Sequence, residues 1–457
     1  MSRTYEPVWR SLDSRPIPGW FEDAKFGIFI HWGVYSVPAY RPLESGLYAS
    51  YSEWYYAKVL DNEKSGGKAF HGKNYGRDFE YRDFAPLFKA ELWQPERWAK
   101  MFRDAGARYV VLTAKHHDGF CLWPTKSPYK KNWNAMDVGP KRDLVGELTT
   151  AVRDQGLRMG LYYSIIEWES SKTHRSETGY DVPLELVEKY KIPEGEYVDR
   201  HLIPQLKELV NAYKPSLIFS DGGEWDASED DLKTKEFLAW LYNESAVNKE
   251  IVVNDRFAKG MPGHHGDYYS SEYRDAGFAG HHPWEESRGI GGSYGFNRAE
   301  NLENYSSSKR LITELIDIVS RGGNLLLNVG PAADGQIPVI MQERLMDIGN
   351  WLRVNGEAVY GTRKCEVPSE DTRGQKVYYT RKGKTIYAIL TDWPKGPLDM
   401  TPVQGAGISK VSMIGVDQEV GWKLDQGKLV VSLPSCDIHE LPSFYAWTLR
   451  IETQPLF

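Results

Sequence analysis

The sequence predicts an α/β chain: a (β/α)8-like TIM barrel followed by a C-terminal antiparallel β-sandwich domain. Short β-rich apolar runs alternate with helical periods from Phe26 to about Tyr360, the pattern of βα units around a parallel sheet. The runs approach eight in number, and no strand-to-helix turn carries the glycine-rich phosphate fingerprint of an open nucleotide-binding sheet. Near Gly361 the helical period gives way to strands and turns. The expected domains are therefore residues 1–361, the barrel, and 362–457, the sandwich.

Phe26 to Ile30 reads as the first strand. The clearest unit starts at Pro95, which suits a first helical turn; Trp98, Phe102 and Ala105 share a face, Gly106 can take the C′ position, and Tyr109 to Thr113 reads as a buried strand. Asp143 can cap a helix with Leu144, Leu148 and Val152 on one side, Gly156 ends it, and Met159 to Tyr163 is the next strand. A helix with Leu202, Leu206 and Leu209 precedes the strand Leu217 to Ser220. A helix near Phe237 to Tyr242 precedes Ile251 to Val253, and one with Leu311, Leu315 and Val319 precedes Leu325 to Val329. Weaker strands are expected near Tyr268 and Ser293. The charged stretch from Ser170 to Gly195 reads as a long loop over the barrel mouth.

A helix with Met341, Leu345, Ile348 and Leu352 closes the barrel region. Strands are expected beyond it at Val377 to Thr380, Thr385 to Leu390, Leu429 to Leu433 and Phe444 to Ile451. The sandwich is expected to cover one flank of the barrel.

At 457 residues and 41% hydrophobic, the chain can bury a sizeable core. Its 56 basic and 63 acidic residues, net −7, form no basic run, so a nucleic-acid partner is not expected. No window offers the roughly 18 apolar residues of a membrane span, and Met1 to Pro18 has no apolar secretion-signal core. The expected location is cytoplasmic for the chain as written, and secreted or periplasmic for one whose signal was removed. Cys121, Cys365 and Cys436 are far apart and lack metal-ligand spacing. The 16 Trp and 28 Tyr are a high aromatic load, which suits a carbohydrate partner but also fills large cores.

Chemistry in such a barrel collects at the C-terminal ends of strands. Four places qualify: His31-Trp32, His116-His117-Asp118, Asp221, and Asn254-Asp255-Arg256. Adjacent residues on a regular strand point to opposite sides, so His116 and His117 are not expected to share a metal. No metal and no cofactor is expected. Glycoside hydrolysis needs two carboxyl groups, one to attack or steer water and one to deliver a proton. Asp221 is the first choice, ending an apolar strand beside Gly222, Gly223 and Trp225. Glu272, Glu285, Glu286 and Glu53 compete for the second role, and spacing does not choose among them.

The chain resembles the family 29 glycoside hydrolases, the α-L-fucosidases, and in particular their broad-acting subgroup. The resemblance runs from about Trp20 to Thr362 and rests on WFEDAKFGIFIHWGVYSVP from Trp20, YSEWY from Tyr51, YVVLTAKHHDGFCLW from Tyr109, GPKRDLVGEL from Gly139, LRMGLYYS from Leu157, LIFSDGG from Leu217, VNDR from Val253, RGIGGSYGFNR from Arg288 and GGNLLLNVGP from Gly322. It implies an exo-acting retaining enzyme that removes terminal α-L-fucose from a fucosylated oligosaccharide or glycoconjugate, with Asp221 as nucleophile and Glu272 as acid/base. Glu285 is the rival for the second role, and a catalytically inactive fucose-binding barrel is the rival function. The implied sugar contacts are His31, Glu53, Trp54, His116, His117, Tyr162 and Arg256, with Phe29, Phe219 and Tyr294 around the C5 methyl. Ser164 to Trp168 departs from the family pattern where a leaving-group subsite could be built. A homo-oligomer is expected by analogy with the family.

Overall fold

The structure, a computed structural model, describes residues 4–44, 50–59, 67–169, 189–193, 195–274, 282–402 and 406–455. Eight strands form one curled, barrel-like parallel sheet: β1 (Phe26–Ile30), β2 (Tyr109–Lys115), β3 (Arg158–Ser164), β4 (Leu217–Asp221), β5 (Val252–Val253), β6 (Tyr269–Glu272), β7 (Trp284–Gly289) and β8 (Asn324–Val329). The ladder runs β5-β4-β3-β2-β1-β8-β7-β6, and every neighbouring pair is parallel.

The helical signals act where local chemistry places them. Pro95 opens the helix Pro95–Asp104, and Gly106 follows it at φ +88°. Asp143 caps Leu144–Asp154 by accepting the Gly146 N–H at 2.9 Å, and Gly156 follows at φ +74°. A glycine takes these left-handed positions without the steric penalty of a Cβ.

Strand alternation divides the barrel into two apolar layers. Phe26, Ile28 and Ile30, with Val110, Leu112, Met159, Leu161, Leu325 and Leu327, pack in the core shared with the surrounding helices. Phe29, Tyr109, Val111, Tyr162, Leu217, Phe219 and Leu326 fill the interior. Gly27 belongs to this inner set because a Cβ there would sit 2.4 Å from the Tyr109 ring.

One sequence expectation about the barrel needs correction. The seventh strand is Trp284–Gly289, not a stretch near Ser293, which lies in the following loop. That strand reads WEESRG, too polar to announce itself by hydrophobicity. The weak sixth strand is the equally polar Tyr269–Glu272. Most of the expected loop from Ser170 to Gly195 lies outside the described residues.

The C-terminal region forms two antiparallel sheets. The larger pairs Glu370–Thr372, Gln375–Lys382, Thr385–Leu390, Trp447–Pro455 and Ala406–Met413 in that order, with Arg363–Lys364 beside Gln375–Lys382; the smaller pairs Leu398–Met400, Lys428–Ser432 and Gly421–Asp425. The last strand starts at Trp447; Tyr445, expected within it, has φ +78° and precedes it. Val377, Tyr379, Ile386, Ala388, Leu449 and Ile451 face the sandwich core with Met400 and Val431. The alternate residues Tyr378, Tyr387 and Ile389 join the barrel core instead. One sheet is thus buried on both faces, and the helix Val339–Asn355 helps dock it: Trp351 Nε1 donates to the Ala446 carbonyl at 3.0 Å and Thr448 Oγ1 to Asn355 Oδ1 at 2.8 Å.

The barrel ladder has a seam between β5 and β6, bridged by Asp267. Its Oδ2 accepts the Val253 N–H at 2.9 Å, its own N–H donates to the Val253 carbonyl at 3.0 Å, and its Oδ1 pairs with buried Arg15 at 3.0 Å. Removing one partner of a buried ion pair strands the other, at a cost of about 3–5 kcal/mol. Asp267→Ala is therefore expected to lose stability of that order in urea unfolding; a loss below about 1 kcal/mol, the range of an exposed pair, would show that the seam does not depend on this carboxylate.

Candidate active site

Strand alternation carries side chains from the interior layers up to the C-terminal mouth. On β1 the inner residue Phe29 is followed two positions later by His31, on β3 Tyr162 by Ser164, and on β4 Phe219 by Asp221. The mouth opens into a cavity of about 590 Å³. Of the residues singled out from the sequence, His31, Glu53, Trp54, His116, His117, Asp221, Trp225, Arg256, Glu272 and Tyr294 line it.

Phe29, Phe219 and Tyr162 lie beneath this lining. The ring centroids of Phe29 and Phe219 are 5.1 Å apart, and Tyr162 stacks on Phe219 at 5.9 Å. They form an aromatic floor, above which His31 stacks on Tyr294 at 4.8 Å.

Asp221 is held by three neighbours. Tyr162 Oη donates to Oδ2 at 2.7 Å, His117 Nε2 lies 3.4 Å from the same oxygen, and Arg256 Nη1 lies 3.4 Å from Oδ1. Burial opposes its charge, yet the His117 contact, the Arg256 charge and the Tyr162 hydroxyl hold the carboxyl well below the usual carboxylate range. Asp221 is thus an anion with one oxygen anchored by Tyr162 and the other turned to Arg256.

Glu272 meets the same guanidinium nitrogen, with Arg256 Nη1 donating to Oε2 at 3.0 Å. The nearest oxygens of Asp221 and Glu272 can therefore be no farther apart than these two Arg256 contacts allow. Arg256 is steered by Ser270, whose Oγ accepts from Nε at 2.8 Å and donates to Asp255 Oδ1 at 2.7 Å. Asp255 also accepts the Gly263 and Ser270 N–H groups, at 2.9 and 3.0 Å.

The histidines are sorted by their hydrogen bonds. Burial lowers His31 to about 4, so its ring is neutral near pH 7. Its Nδ1–H donates to Asn328 Oδ1 at 2.7 Å, which leaves Nε2 as an acceptor. Asn328 is oriented by donating to the Tyr294 carbonyl at 2.6 Å. Ser164 Oγ donates to the Ile166 carbonyl at 2.6 Å and so accepts from His117 Nδ1, also at 2.6 Å, which turns His117 Nε2 to Asp221. β2 has already ended at Lys115, so both His116 and His117 face the cavity, unlike neighbours on a regular strand. His116 is held neutral by burial, then by the neighbouring His117 and His31.

Glu53 arrives on a short 3-10 helix, Ser52–Trp54, pinned to the loop after β7. Its Oε2 accepts the Gly295 N–H at 2.8 Å and the Ser293 hydroxyl at 3.3 Å, while Oε1 has no partner among the described residues. Burial pushes this carboxyl up to about 7. Glu53 therefore sits between donor and acceptor forms near neutrality.

The remaining expectations fall elsewhere. Glu285 is second on β7, level with Asn324 at the start of β8, and is buried in the interior where it accepts from Tyr109 Oη. Glu286 is bound by Ser271 and Arg288, and neither glutamate lines the cavity. Within Ser164 to Trp168, Ile165, Ile166 and Glu167 are buried rather than forming a subsite; Glu167 pairs with Lys115 at 2.6 Å, with Lys130 and with His201 at 2.6 Å. Sequence reasoning missed Tyr51, Glu224, Pro262, Ser270, Ser271 and Arg274 as lining residues. Tyr51 and the two serines lay inside quoted motifs or beside Glu272, and Glu224 is three positions past Asp221. Pro262 and Arg274 lie outside regular elements and carry no periodic signal.

The buried Glu285 carboxyl has a measurable signature. Burial pushes it up to about 8, so the folded chain keeps a proton that the unfolded chain releases near 4.5. Its stabilising contribution is full below the unfolded value and is lost as pH rises toward and through about 8. Glu285→Gln, which keeps an acceptor for Tyr109, is expected to flatten the decline of the melting temperature between pH 5 and 9; identical profiles for the two proteins would contradict a protonated Glu285.

Comparison with known proteins agrees along the whole chain. A family model described as alpha-L-fucosidase matches residues 1–357, and one described as alpha-L-fucosidase C-terminal domain matches residues 369–452. The tissue alpha-L-fucosidase of Bos taurus is 43% identical over 453 residues, covering 98% of this chain and 91% of its own length. That of Homo sapiens is 42% identical over 455 residues, covering 98% and 92%. Among solved structures, a Thermotoga maritima alpha-fucosidase in complex with fucose superposes with a TM-score of 0.83 at 38% identity, covering 98% of this chain and all of that one. The complex of a Thermotoga maritima alpha-fucosidase with a mechanism based inhibitor gives 0.84 at the same identity and coverage.

Proposed function

The chain belongs to the alpha-L-fucosidase family, and from that premise we propose that it removes terminal α-L-fucose from glycans by double displacement, with Asp221 as nucleophile and Glu272 as acid/base. It is an alpha-L-fucosidase, a glycoside hydrolase acting on fucosylated glycans. The observation that supports the mechanism is the placement of Asp221 and Glu272 on one nitrogen of Arg256, at 3.4 and 3.0 Å. These contacts bring both carboxylates against one cation, an approach compatible with the ~5–5.5 Å separation of a retaining pair.

In the first step an Asp221 oxygen attacks the anomeric carbon as the bond to the leaving oxygen breaks, and Glu272 gives that oxygen a proton. Oδ1 is the better placed to attack, since Oδ2 is engaged by Tyr162. In the second step Glu272 takes a proton from water, the water oxygen bonds to the anomeric carbon, and Asp221 is released. Glu272 serves in this way once bound substrate separates it from Arg256; catalytic hydrogen bonds often form only in the complex.

The ring contacts follow the same reading. Neutral His31 accepts from a sugar hydroxyl, Glu53 accepts or donates, and His116, His117, Trp54 and Arg256 bracket the remaining hydroxyls. Tyr162 orients Asp221. Tyr294, with Phe29 and Phe219 beneath, forms the apolar ground for the C5 methyl. The open cavity suits the broad-acting subgroup, in which simple aryl fucosides are substrates. The division into a barrel of residues 1–361 and a sandwich of 362–457 completes the proposal, the second unit covering a barrel flank.

Hydrolysis of 4-nitrophenyl α-L-fucoside tests these roles. Asp221→Ala is expected to be essentially inactive and to yield β-fucosyl azide when azide is added. Glu272→Ala is expected to fall by about 10²–10⁴-fold, the usual worth of a general acid/base, and to yield the α-azide. Azide products with the anomers exchanged, or an active Asp221→Ala, would overturn the assignment.

A further inference from the structure

Glu224 lines the same cavity but takes no part in the double displacement or in holding the ring hydroxyls. It lies in the short helix Gly223–Asp226 that leaves β4 immediately after Asp221. The turn into that helix is closely packed. Gly222 has φ +81°, and a Cβ there would meet Ile166 Cγ1 at 2.7 Å; a Cβ on Gly223 would meet the Phe257 carbonyl oxygen at 2.2 Å. Backbone fit thus fixes where Glu224 enters the cavity.

Its carboxyl is held only weakly by the protein around it, by the Arg256 charge and its own backbone N–H. Oε1 stops 4.0 Å from Arg256 Nη1, beyond hydrogen-bond reach, and the shielded Oε2 has no hydrogen-bond partner among the described residues. The same Arg256 nitrogen already meets Asp221 and Glu272 at shorter range. Burial, and then the negative charge of Asp221, push the Glu224 carboxyl well above the usual carboxylate range. That direction favours the protonated form, in which the group offers an O–H as well as an acceptor oxygen.

The surroundings indicate what it would meet. Trp225, beside Glu224, reaches toward His117 and Trp54 with ring centroids 5.1 and 5.9 Å away. An aromatic face next to a hydrogen-bonding carboxyl matches the two surfaces of a sugar, its C–H face and its hydroxyls. His31, Glu53 and His116 are assigned to the fucose ring alone, whereas Arg256, which brackets the ring and also meets Asp221 and Glu272, brings Glu224 to the carboxylate pair where the glycosidic bond is cut.

We propose that Glu224 is a specificity-determining residue that hydrogen-bonds a hydroxyl of a sugar leaving group, ranking substrates by what fucose is attached to. The inference rests on the fucosidase reading of the site given above. A polar group of this kind rejects a partner that lacks the matching hydroxyl, because the buried carboxyl is then left unpaired.

The test compares wild type, Glu224→Ala and Glu224→Gln on 4-nitrophenyl α-L-fucoside and on an α-fucosylated disaccharide, with inhibition by free L-fucose as a third measurement. Glu224→Ala is expected to lose about tenfold in kcat/KM on the disaccharide, the worth of one net hydrogen bond. Its aryl fucoside kinetics and fucose inhibition should stay close to wild type. Glu224→Gln, whose amide still donates, is expected to recover most of the disaccharide rate. Equal losses on both substrates, or weakened fucose inhibition, would overturn the proposal by placing Glu224 at the ring or the carboxylate pair. Unchanged disaccharide kinetics in Glu224→Ala would overturn it as well. A wild type inert on both substrates would remove the fucosidase reading itself, and the proposal with it.

Discussion

Arg256 allows two carboxylates to share one barrel mouth. Carboxylates placed side by side in a partly dry site repel, and a shared cation offsets that repulsion. Arg256 meets Asp221 and Glu272 with a single nitrogen, while its Nε is tied through Ser270 to Asp255. That chain spans β5 and β6, the strands whose ladder is missing and whose seam Asp267 and Arg15 bridge. The charge balance of the site and the closure of the barrel are therefore met in the same part of the fold.

A second buried charge group stands behind the mouth on the β2 and β3 side. Burial works against the charge of Glu167, yet Lys115, Lys130 and His201 hold its carboxyl well below the usual range. Lys115 is the last residue of β2 and immediately precedes His116 and His117. Glu167 belongs to the segment whose Ile166 carbonyl receives Ser164 and so sets the His117 ring. An ionic group with matched partners at this depth ties two loop starts together, and both carry residues of the cavity wall.

The apolar strands were legible because alternation and burial agree in them. Tyr109 to Thr113 and Leu217 to Ser220 read as strands from composition alone, and the helices ending at Gly106 and Gly156 carried both their face and their stop signal. β6 and β7 were legible only as weak stretches, one displaced toward Ser293, because YSSE and WEESRG hold carboxylates and hydroxyls. The polar groups that equip these strands for chemistry also remove the hydrophobic signal by which a strand is found.

The sequence by itself determined the alternation of strands and helices, the change of pattern near Gly361, and the positions His31, His116, His117, Asp221 and Arg256 just past apolar runs, since each follows from local periodicity. Only the tertiary structure decided which of the candidate glutamates reach the cavity and which do not. Glu272 ends β6 at the mouth, whereas Glu285 lies near the start of β7 under Tyr109. Strand register across the sheet sets that difference, and register depends on partners far away in the chain. The same reason explains Glu224, which lines the cavity because Gly222 and Gly223 pack against Ile166 and Phe257, contacts between segments that no local pattern connects.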